Sequence, residues 1–295
     1  MVFFGFLRAP SRPLALVART VSLFGMVSTF VEATQLVLSG NFVTRVQNQW
    51  RDESSRVMYR RPFPRPWQYW SQRRINTLAG GLHAQRYLEI GIEHGRTAEK
   101  INVRERVGVD PAPRFDMNKL PPGFSFFAVE SDTYFASLAS EATFDLAFLD
   151  GLHTFGQTKN DLFNTLRHVP SGVILIDDTV PEDETAALPD QDEARALRRE
   201  TGPKEQAWMG DVWRLVVYID QYLPQLDFRT IVGSGNVQTL VWRRTIGETI
   251  SEPSGNEFEK LNYRETFASG IPDQFRPCAE VDAIQACLTA VQLHR

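Results

Sequence analysis

Two short apolar runs that each end in carboxylates constrain the fold of this chain more than any other feature of its sequence. The segment FDLAFLDGLHT occupies residues 144–154, and VILIDDTV occupies residues 173–180. A continuous apolar run of roughly four to eight residues is typical of a strand buried in a parallel sheet. Ligands of open α/β sheets bind at the carboxyl ends of such strands. We therefore predict that Asp150 meets the pair Asp177 and Asp178 in a crevice at that edge.

From residue 86 onward the chain alternates between strand patterns and helical patterns. Strands are predicted at residues 86–92, 106–110, 124–130, 145–150, 173–178, 226–233 and 236–244. Helices are predicted at residues 97–106, 131–140, 154–168, 211–222 and 281–292. The last two strands read as an antiparallel hairpin joined through residues 234–236. This order predicts an α/β fold with a doubly wound, mostly parallel seven-stranded sheet of Rossmann-like type and a terminal antiparallel hairpin.

The composition excludes several classes of protein. Hydrophobic residues make up 42% of the chain and charged residues 23%, which is ordinary for a globular enzyme. The net charge of −4 gives no sign of nucleic-acid binding. The two cysteines, Cys278 and Cys287, fit neither a zinc site nor a disulfide framework, so we expect free thiols in a reducing compartment. A cytoplasmic location follows as the simplest expectation.

With 295 residues, the chain is long enough for one large domain with extensions. We predict an N-terminal helix and a basic, aromatic lid segment at 1–75, a ligand-binding domain at 76–245 and a C-terminal extension at 246–295. The uncharged stretch 20–31 is shorter than the roughly 20 apolar residues that span a bilayer, so no transmembrane segment is predicted. An amphipathic helix that packs on the domain or attaches to a membrane surface is expected there instead.

Two features near the predicted crevice leave alternatives open. Residues 182–208 lie between the fifth strand and the next helix, where they could form a lid or a variable surface loop. Trp208 and Trp213 could form an apolar wall for a bound ligand or could pack in the core.

The turn after the first strand, EIGIEHG at residues 89–95, has a pattern of its own. Gly91 and Gly95 let the backbone approach a ligand closely, but the third glycine of the dinucleotide fingerprint is absent. Glu89 would repel a pyrophosphate and suits a cationic amino group. The turn therefore favours a ligand with an amino-acid end and without phosphates.

Polar residues after the second and third strands predict contacts to a nucleoside. Asp110 ends the second strand, where a carboxylate can accept both hydroxyls of a ribose; the alternative is a turn former before Pro111. Ser131 and Asp132 follow the third strand and are placed to meet an adenine edge. Ser131 could instead cap the helix that begins there.

The acidic crevice has the residue types of a catalytic site. Three converging carboxylates, Asp150, Asp177 and Asp178, are costly unless a cation lies between them. His153 is close enough to Asp150 to serve the same site, and histidine is the natural base near neutral pH. The alternatives are structural: the acids could hold local turns, and His153 could be an ordinary packed histidine.

Taken together, the motifs EIGIEHG, VGVD, AVESD, FDLAFLDGLH and VILIDDTVP resemble those of class I S-adenosylmethionine-dependent methyltransferases over residues 86–243. The sequence GDVW at 210–213 adds a similarity to bacterial sugar O-methyltransferases. The resemblance implies a methyltransferase fold, with 76–245 as the adenosylmethionine-binding domain. The implied cofactor-binding residues are Glu89, Gly91, Gly95, Asp110, Ser131 and Asp132.

In the metal-dependent members of that subgroup, the pattern Asp-x-x-His precedes an acidic pair after the next strand. The resemblance therefore implies that Asp150, Asp177 and Asp178 bind Mg²⁺ or Mn²⁺ and that His153 is the base. At the position of Asp177 the family often has glutamate. The implied reaction is O-methylation of a sugar or a glycosylated small molecule. Homo-oligomerisation is an additional expectation.

Three alternatives remain at the level of sequence. A methyltransferase of a small phenol or an amine would use the same cofactor; catechol-type enzymes have lysine where this chain has His153. A nicotinamide-dependent oxidoreductase on the same sheet would need the missing third glycine and does not explain Glu89. A non-catalytic binding protein would not need complete motifs at all five strand ends.

Overall fold

The computed structural model describes residues 67–117, 120–201, 208–253 and 260–293. All of these lie within one compact unit, Pro62–Arg295. The predicted N-terminal helix and most of the basic, aromatic segment lie outside the described residues, so the predicted domain boundaries stay predictions. No helix within the described ranges combines the length and the apolar character that crossing a membrane requires.

The described chain alternates strands and helices, as the sequence patterns predict. The strands are β1 Arg86–Ile90, β2 Glu105–Val109, β3 Phe124–Phe127, β4 Leu146–Leu149, β5 Ile174–Ile176, β6 Leu226–Ile231, β7 Gln238–Arg243 and β8 Pro277–Cys278. The helices are α1 Trp67–Leu82, α2 Ser131–Ser137, α3 Phe155–His168, α4 Gln191–Thr201, α5 Trp213–Tyr222, α6 Tyr263–Thr266 and α7 Glu280–Gln292.

The strands form one sheet in the order β3-β2-β1-β4-β5-β7-β6-β8. The strands from β3 to β5 in that order are parallel, and β7 is antiparallel to both β5 and β6. The predicted fold class and its terminal hairpin are confirmed. The sheet has eight strands where seven were predicted, because Pro277–Cys278 pairs in parallel with the edge of β6. A strand of two residues has no periodicity that the sequence could reveal.

Alternating strand residues bury opposite faces of the sheet. Leu149 and Ile176 pack in the cluster that contains α2, α3 and α5. Phe148 and Leu175 pack in the cluster that contains α1 and α7. Full burial of each such side chain contributes roughly 1.5–3 kcal/mol. Because both faces are covered, the exposed carboxyl edge of the parallel strands is left for polar chemistry.

Two local predictions are wrong. The helix predicted at 97–106 is a single 3-10 turn, Ala98–Lys100. Arg106 instead pairs within the sheet with Tyr87 and Phe124, and this pairing overrides the local helical pattern. Ser131 does not cap α2: the cap position is Glu130, and Ser131 is the first residue of the helix.

Candidate active site

The carboxyl ends of β4 and β5 bring four of the predicted residues together. The N–H of Asp177 donates to the carbonyl oxygen of Leu149 at 3.0 Å, which keeps the two strand ends adjacent. His153 Nε2 lies 3.4 Å from Asp150 Oδ1, and His153 Nδ1 lies 2.8 Å from Asp178 Oδ2. The second contact lacks the alignment of a hydrogen bond and is an ion pair. The imidazole ring therefore bridges two carboxylates.

Burial and mutual repulsion shift the pKa values in this cluster. Burial raises the pKa of Asp150, and a hydrogen bond with His153 opposes the rise. Burial also raises the pKa of Asp177 well above its ordinary value, and the charges of Asp150 and Asp178 raise it further. Burial by itself would lower the pKa of His153, but the charge of Asp178 and contacts with Asp150 raise it well above 6.5. A protonated ring therefore supplies the positive charge that the acids need.

Two amide side chains near the β6–β7 turn hold the acidic pair. Asn236 Nδ2 donates to Asp177 Oδ1 and, at 3.0 Å, to Asp178 Oδ1. Gln238 Nε2 donates to Asp177 Oδ1 at 3.0 Å, and the N–H of Asp178 donates to the same oxygen at 2.9 Å. Three hydrogen bonds therefore converge on one carboxylate oxygen of Asp177, Oδ1.

A buried arginine of α1 fixes the orientation of Gln238. Arg74 is fully buried, and its Nη1 donates to Gln238 Oε1 at 2.6 Å. Because a guanidinium has only donors, Gln238 must present its oxygen to Arg74 and its NH₂ group to Asp177 and Ser71. Glu280 of α7 balances the charge of Arg74 at 3.0 Å. Sequence reasoning missed this network, since Arg74 lies more than 160 positions from both Gln238 and Glu280 along the chain.

The backbone of Asp178 is in the left-handed region, with φ +54°. This conformation costs roughly 1–2 kcal/mol for an L-residue, although aspartate tolerates it better than most. The hydrogen bonds from Asn236 and to Asp177 hold Asp178 in place. Backbone strain held by its surroundings is frequent at functional sites.

The carboxylates fit a divalent cation in chemistry but not in their present arrangement. Their oxygen atoms are the ligands that Mg²⁺ and Mn²⁺ prefer. Within the described residues, however, no group of three or more His, Cys, Asp or Glu side chains is arranged to hold a metal ion. The ring of His153 lies between Asp150 and Asp178 and contacts both carboxylates.

The glycine turn adjoins this cluster directly. Gly91 has φ +83°, and a Cβ at this position would lie 1.9 Å from the carbonyl oxygen of Asp150. Gly95 has φ +69°, and its nearest neighbour is the ring of Phe115 at 3.4 Å. Gly91 is therefore required for the packing of β1 against the end of β4, in addition to any approach to a ligand. The predicted cofactor end and the acidic crevice share this backbone contact.

Glu89 lies on β1 and is only 2% exposed. The hydroxyl of Tyr87 donates to Glu89 Oε2 at 2.7 Å. Burial raises the pKa of Glu89 to about 8; the hydrogen bond from Tyr87 lowers it and the charge of Asp150 raises it. Without a cationic partner, the carboxyl is therefore protonated at neutral pH.

Asp110 already ties together two loops. Its Oδ2 accepts the N–H of Glu93 at 2.8 Å, and its Oδ1 accepts the N–H of Ala112 at 2.8 Å. Each carboxylate oxygen has a second lone pair, so Asp110 can still accept from two ribose hydroxyls. The predicted turn function and the predicted ribose contact are therefore compatible.

Ser131 and Asp132 meet two polar side chains of α3 that sequence reasoning did not single out. Gln157 Nε2 donates to Ser131 Oγ and Asp132 Oδ1 at 3.2 Å and to Asp161 Oδ1 at 3.3 Å. Asp161 is buried, and burial raises its pKa to about 6, while hydrogen bonds from Ser131 and Gln157 lower it. The sequence did contain one signal for this contact: Asp161 is an acid on the apolar face of the helix predicted at residues 154–168.

The two tryptophans differ in their surroundings. Trp213 is 1% exposed and packs against Tyr263 and Phe267, so it belongs to the core. Trp208 stacks on His153, with ring centroids 5.5 Å apart. Of the two predicted walls, only Trp208 adjoins the acidic crevice.

Residues 88–179 match the model of a methyltransferase domain. This match and the topology of the sheet agree with the predicted class I methyltransferase domain. The matched segment contains all ten predicted site residues, from Glu89 to Asp178. The predicted enzyme class, a methyltransferase that uses S-adenosylmethionine, is confirmed. The family match does not support the alternative of a nicotinamide-dependent oxidoreductase.

Solved structures give weaker similarities. An O-methyltransferase from Klebsiella pneumoniae, described as putative in its own report, is 15% identical over 67% of this chain and 99% of its own, with a TM-score of 0.42. An O-methyltransferase from Bacillus cereus in complex with SAH is 13% identical over 67% and 90%, with a TM-score of 0.42. The Streptomyces achromogenes O-methyltransferase TomG, in complex with SAM, is 14% identical over 59% and 79%, with a TM-score of 0.40. No curated protein sequence matches the chain.

Proposed function

We propose that this methyltransferase transfers the methyl group of S-adenosylmethionine to a hydroxyl of a sugar or a glycosylated small molecule, with His153 as the base. The observation that supports this proposal is the imidazole held between Asp150 and Asp178, next to the glycine turn that adjoins Asp150. The side chain of His153 is 19% exposed and that of Asp150 is 32% exposed, so an acceptor can reach both.

The acceptor hydroxyl must lose a proton as its oxygen forms a bond to the methyl carbon and the sulfonium carbon–sulfur bond breaks. Only the neutral form of His153 can take that proton. Because Asp178 and Asp150 raise the pKa of His153 well above 6.5, the neutral form becomes populated only as the pH rises through that raised value. We therefore expect methyl transfer to increase with pH. A pH-independent rate between pH 6 and about 9 would contradict the assignment.

The surroundings of His153 favour an acceptor with both apolar and polar faces. Leu152, beside the histidine, is 57% exposed, and Trp208 stacks on the imidazole. A sugar ring or a glycoside presents C–H faces to such a surface and hydroxyls to the carboxylates. A small phenol or an amine is the second class of acceptor that this site would accommodate.

A divalent cation is the finer part of the proposal. When bound, Mg²⁺ or Mn²⁺ would lower the pKa of an acceptor hydroxyl. Asp150, Asp177 and Asp178 are the side chains that would hold it. Turnover with and without EDTA, followed by addition of Mg²⁺ or Mn²⁺, tests this part separately. A cytoplasmic location and a homo-oligomeric state remain expectations that accompany the proposal.

The first test is calorimetric titration with S-adenosylhomocysteine. We expect saturable binding by the wild-type protein and much weaker binding by Asp110→Ala. A screen of sugars, glycosides, catechols and amines with labelled S-adenosylmethionine then identifies the acceptor class. Absence of binding by the folded wild-type protein would overturn the proposed function.

A further inference from the structure

A short segment far from His153 in sequence contacts this residue at several points. Trp208–Asp211, here called the clasp, lies outside the segment 88–179 that matches the methyltransferase domain. Gly210 has φ +63°, and a Cβ at this position would lie 1.6 Å from the main-chain oxygen of His153 and 3.0 Å from its Cβ. The backbone of the clasp is therefore in direct contact with the backbone of His153, and only glycine fits there.

A second contact holds the chain two residues beyond the histidine. Asp211 is buried, and its Oδ1 accepts the N–H of Phe155, the first residue of α3, at 2.6 Å. Arg214 pairs with the other oxygen of Asp211 at 2.8 Å and fixes the carboxylate. A charged acceptor at a helix N-terminus is a strong hydrogen-bonding partner. Asp211 therefore fixes where α3 begins, immediately after the loop that carries His153.

The third contact is the ring of Trp208. The indole stacks on the imidazole at an interplanar angle of 26°, and its Nε1 donates to the carbonyl oxygen of Leu188 at 2.7 Å. The main-chain N–H groups of Met209 and Gly210 both donate to the carbonyl oxygen of Ala186. The clasp is therefore held in place by the segment after β5 as well as by its contacts with His153.

We propose that the clasp positions His153: Gly210 sets its backbone, Asp211 fixes the start of the following helix, and Trp208 sets the plane of its ring. The clasp residues act through the histidine and are positioning residues. This inference rests on the proposed function only for its catalytic meaning, because the position of His153 can be measured without an acceptor.

The test is nitrogen NMR of the full-length protein labelled with ¹⁵N-histidine. The chain has five histidines, and a His153→Gln variant assigns the ring signals of His153. Gly210→Ala should move those signals. The matched control is Gly247→Ala, which has a similar φ of +75° but nothing within 4 Å of its Cβ, and which should leave them in place. Unchanged His153 signals in a folded Gly210→Ala variant would overturn the proposal.

A second pair of variants keeps the proposal testable if Gly210→Ala does not fold. Asp211→Ala removes the acceptor for the N–H of Phe155 and should move the His153 signals. Asp211→Asn keeps an acceptor oxygen, so its His153 signals should lie closer to the wild-type positions, with at least half of the displacement seen in Asp211→Ala removed. Failure of Asp211→Asn to restore the signals would count against positioning through this bond.

Titration of the same samples with S-adenosylhomocysteine separates the two proposals. If the wild-type protein binds no S-adenosylhomocysteine while Gly210→Ala still moves the ¹⁵N signals of His153, the proposed function is wrong and the positioning role of the clasp is supported. If the wild type binds and Gly210→Ala leaves His153 unmoved, the clasp proposal fails by itself.

Discussion

The two ends of the crevice are built from different parts of the chain. At the cofactor end, Asp110 contacts Glu93 and Ala112, which lie close to it in sequence and within the matched segment 88–179. At the reacting end, Asp177 is held by Gln238, about sixty positions later, and Gln238 is oriented by Arg74. Both of these partners lie outside the matched segment. The contacts of Asp110 are therefore local, whereas those of Asp177 depend on the tertiary fold.

This difference means that substitutions can disturb the two ends separately. A local turn can keep its geometry when distant parts of the chain diverge. A substitution in α1, the hairpin or the clasp should disturb the reacting end, because these segments contact its residues directly or through Gln238. The predictions below separate the two ends, beginning with the largest expected effect.

Removal of His153 should affect only the reacting end. General acid–base catalysis typically contributes about 10²–10⁴-fold, so His153→Ala should lower kcat by that factor. Its affinity for S-adenosylhomocysteine should stay within about twofold of the wild type, since no predicted cofactor contact is lost. Turnover with the acceptor found in the screen and calorimetry measure the two effects. An unchanged kcat would remove His153 as the base.

Removal of Arg74 should weaken the whole fold and disturb the reacting end. Arg74→Met removes the buried donor to Gln238 and leaves Glu280 with only Arg73 as its cationic partner, and each buried acceptor left unsatisfied costs about 1–3 kcal/mol. Urea denaturation should show this loss in the free energy of unfolding. Arg73 is the control, because its side chain is 50% exposed and also pairs with Glu280. A loss in Arg73→Met as large as that in Arg74→Met would contradict the importance of burial.

Replacement of Asp110 should weaken the cofactor end alone. Hydrogen bonds to a charged group contribute about 1.5–3 kcal/mol, so Asp110→Ala should lower the affinity for S-adenosylhomocysteine by roughly 10–150-fold. The ¹⁵N signals of His153 should not move, because no contact of Asp110 reaches the acidic cluster. Equal affinities of the variant and the wild type would exclude the ribose contact.

Glu89 should make cofactor binding dependent on pH. Its pKa of about 8 means that an ammonium group binding the carboxylate must displace a proton below that pH. Affinity for S-adenosylhomocysteine should therefore rise by about tenfold per pH unit up to about pH 8 and then level off. Glu89→Gln should remove this dependence. A wild-type affinity that is constant between pH 6 and 8 would contradict the prediction.

The carboxyl group of Glu89 should also make the free energy of unfolding fall as the pH rises. Its ordinary pKa is 4.5, so between 4.5 and about 8 the folded protein holds a proton that the unfolded chain has lost. The stabilisation is therefore complete below pH 4.5 and is lost as the pH rises through 8. Comparing the free energy of unfolding of the wild type and Glu89→Gln across this range isolates the contribution of Glu89.

The smallest effect is expected at the adenine end. Asp132→Ala removes one acceptor that is exposed, and because water competes for an exposed carboxylate we expect its hydrogen bond to contribute only about 0.5–1.5 kcal/mol. The affinity for S-adenosylhomocysteine should fall by roughly 2–10-fold. A larger fall than in Asp110→Ala would mean that adenine recognition, rather than ribose recognition, dominates the cofactor end.

The sequence by itself determined the layout of the sheet and the residues at its carboxyl edge. Apolar strand patterns, glycine turns and acids after strands are local signals, and they predicted the parallel sheet, the hairpin and the cluster of His153 with three aspartates. Only the tertiary structure decided what holds those residues. The helix at 97–106 gave way to sheet pairing, and Arg74, Gly210 and Gln238 reach the site from distant parts of the chain. Such contacts follow from packing between elements, which no local spacing encodes.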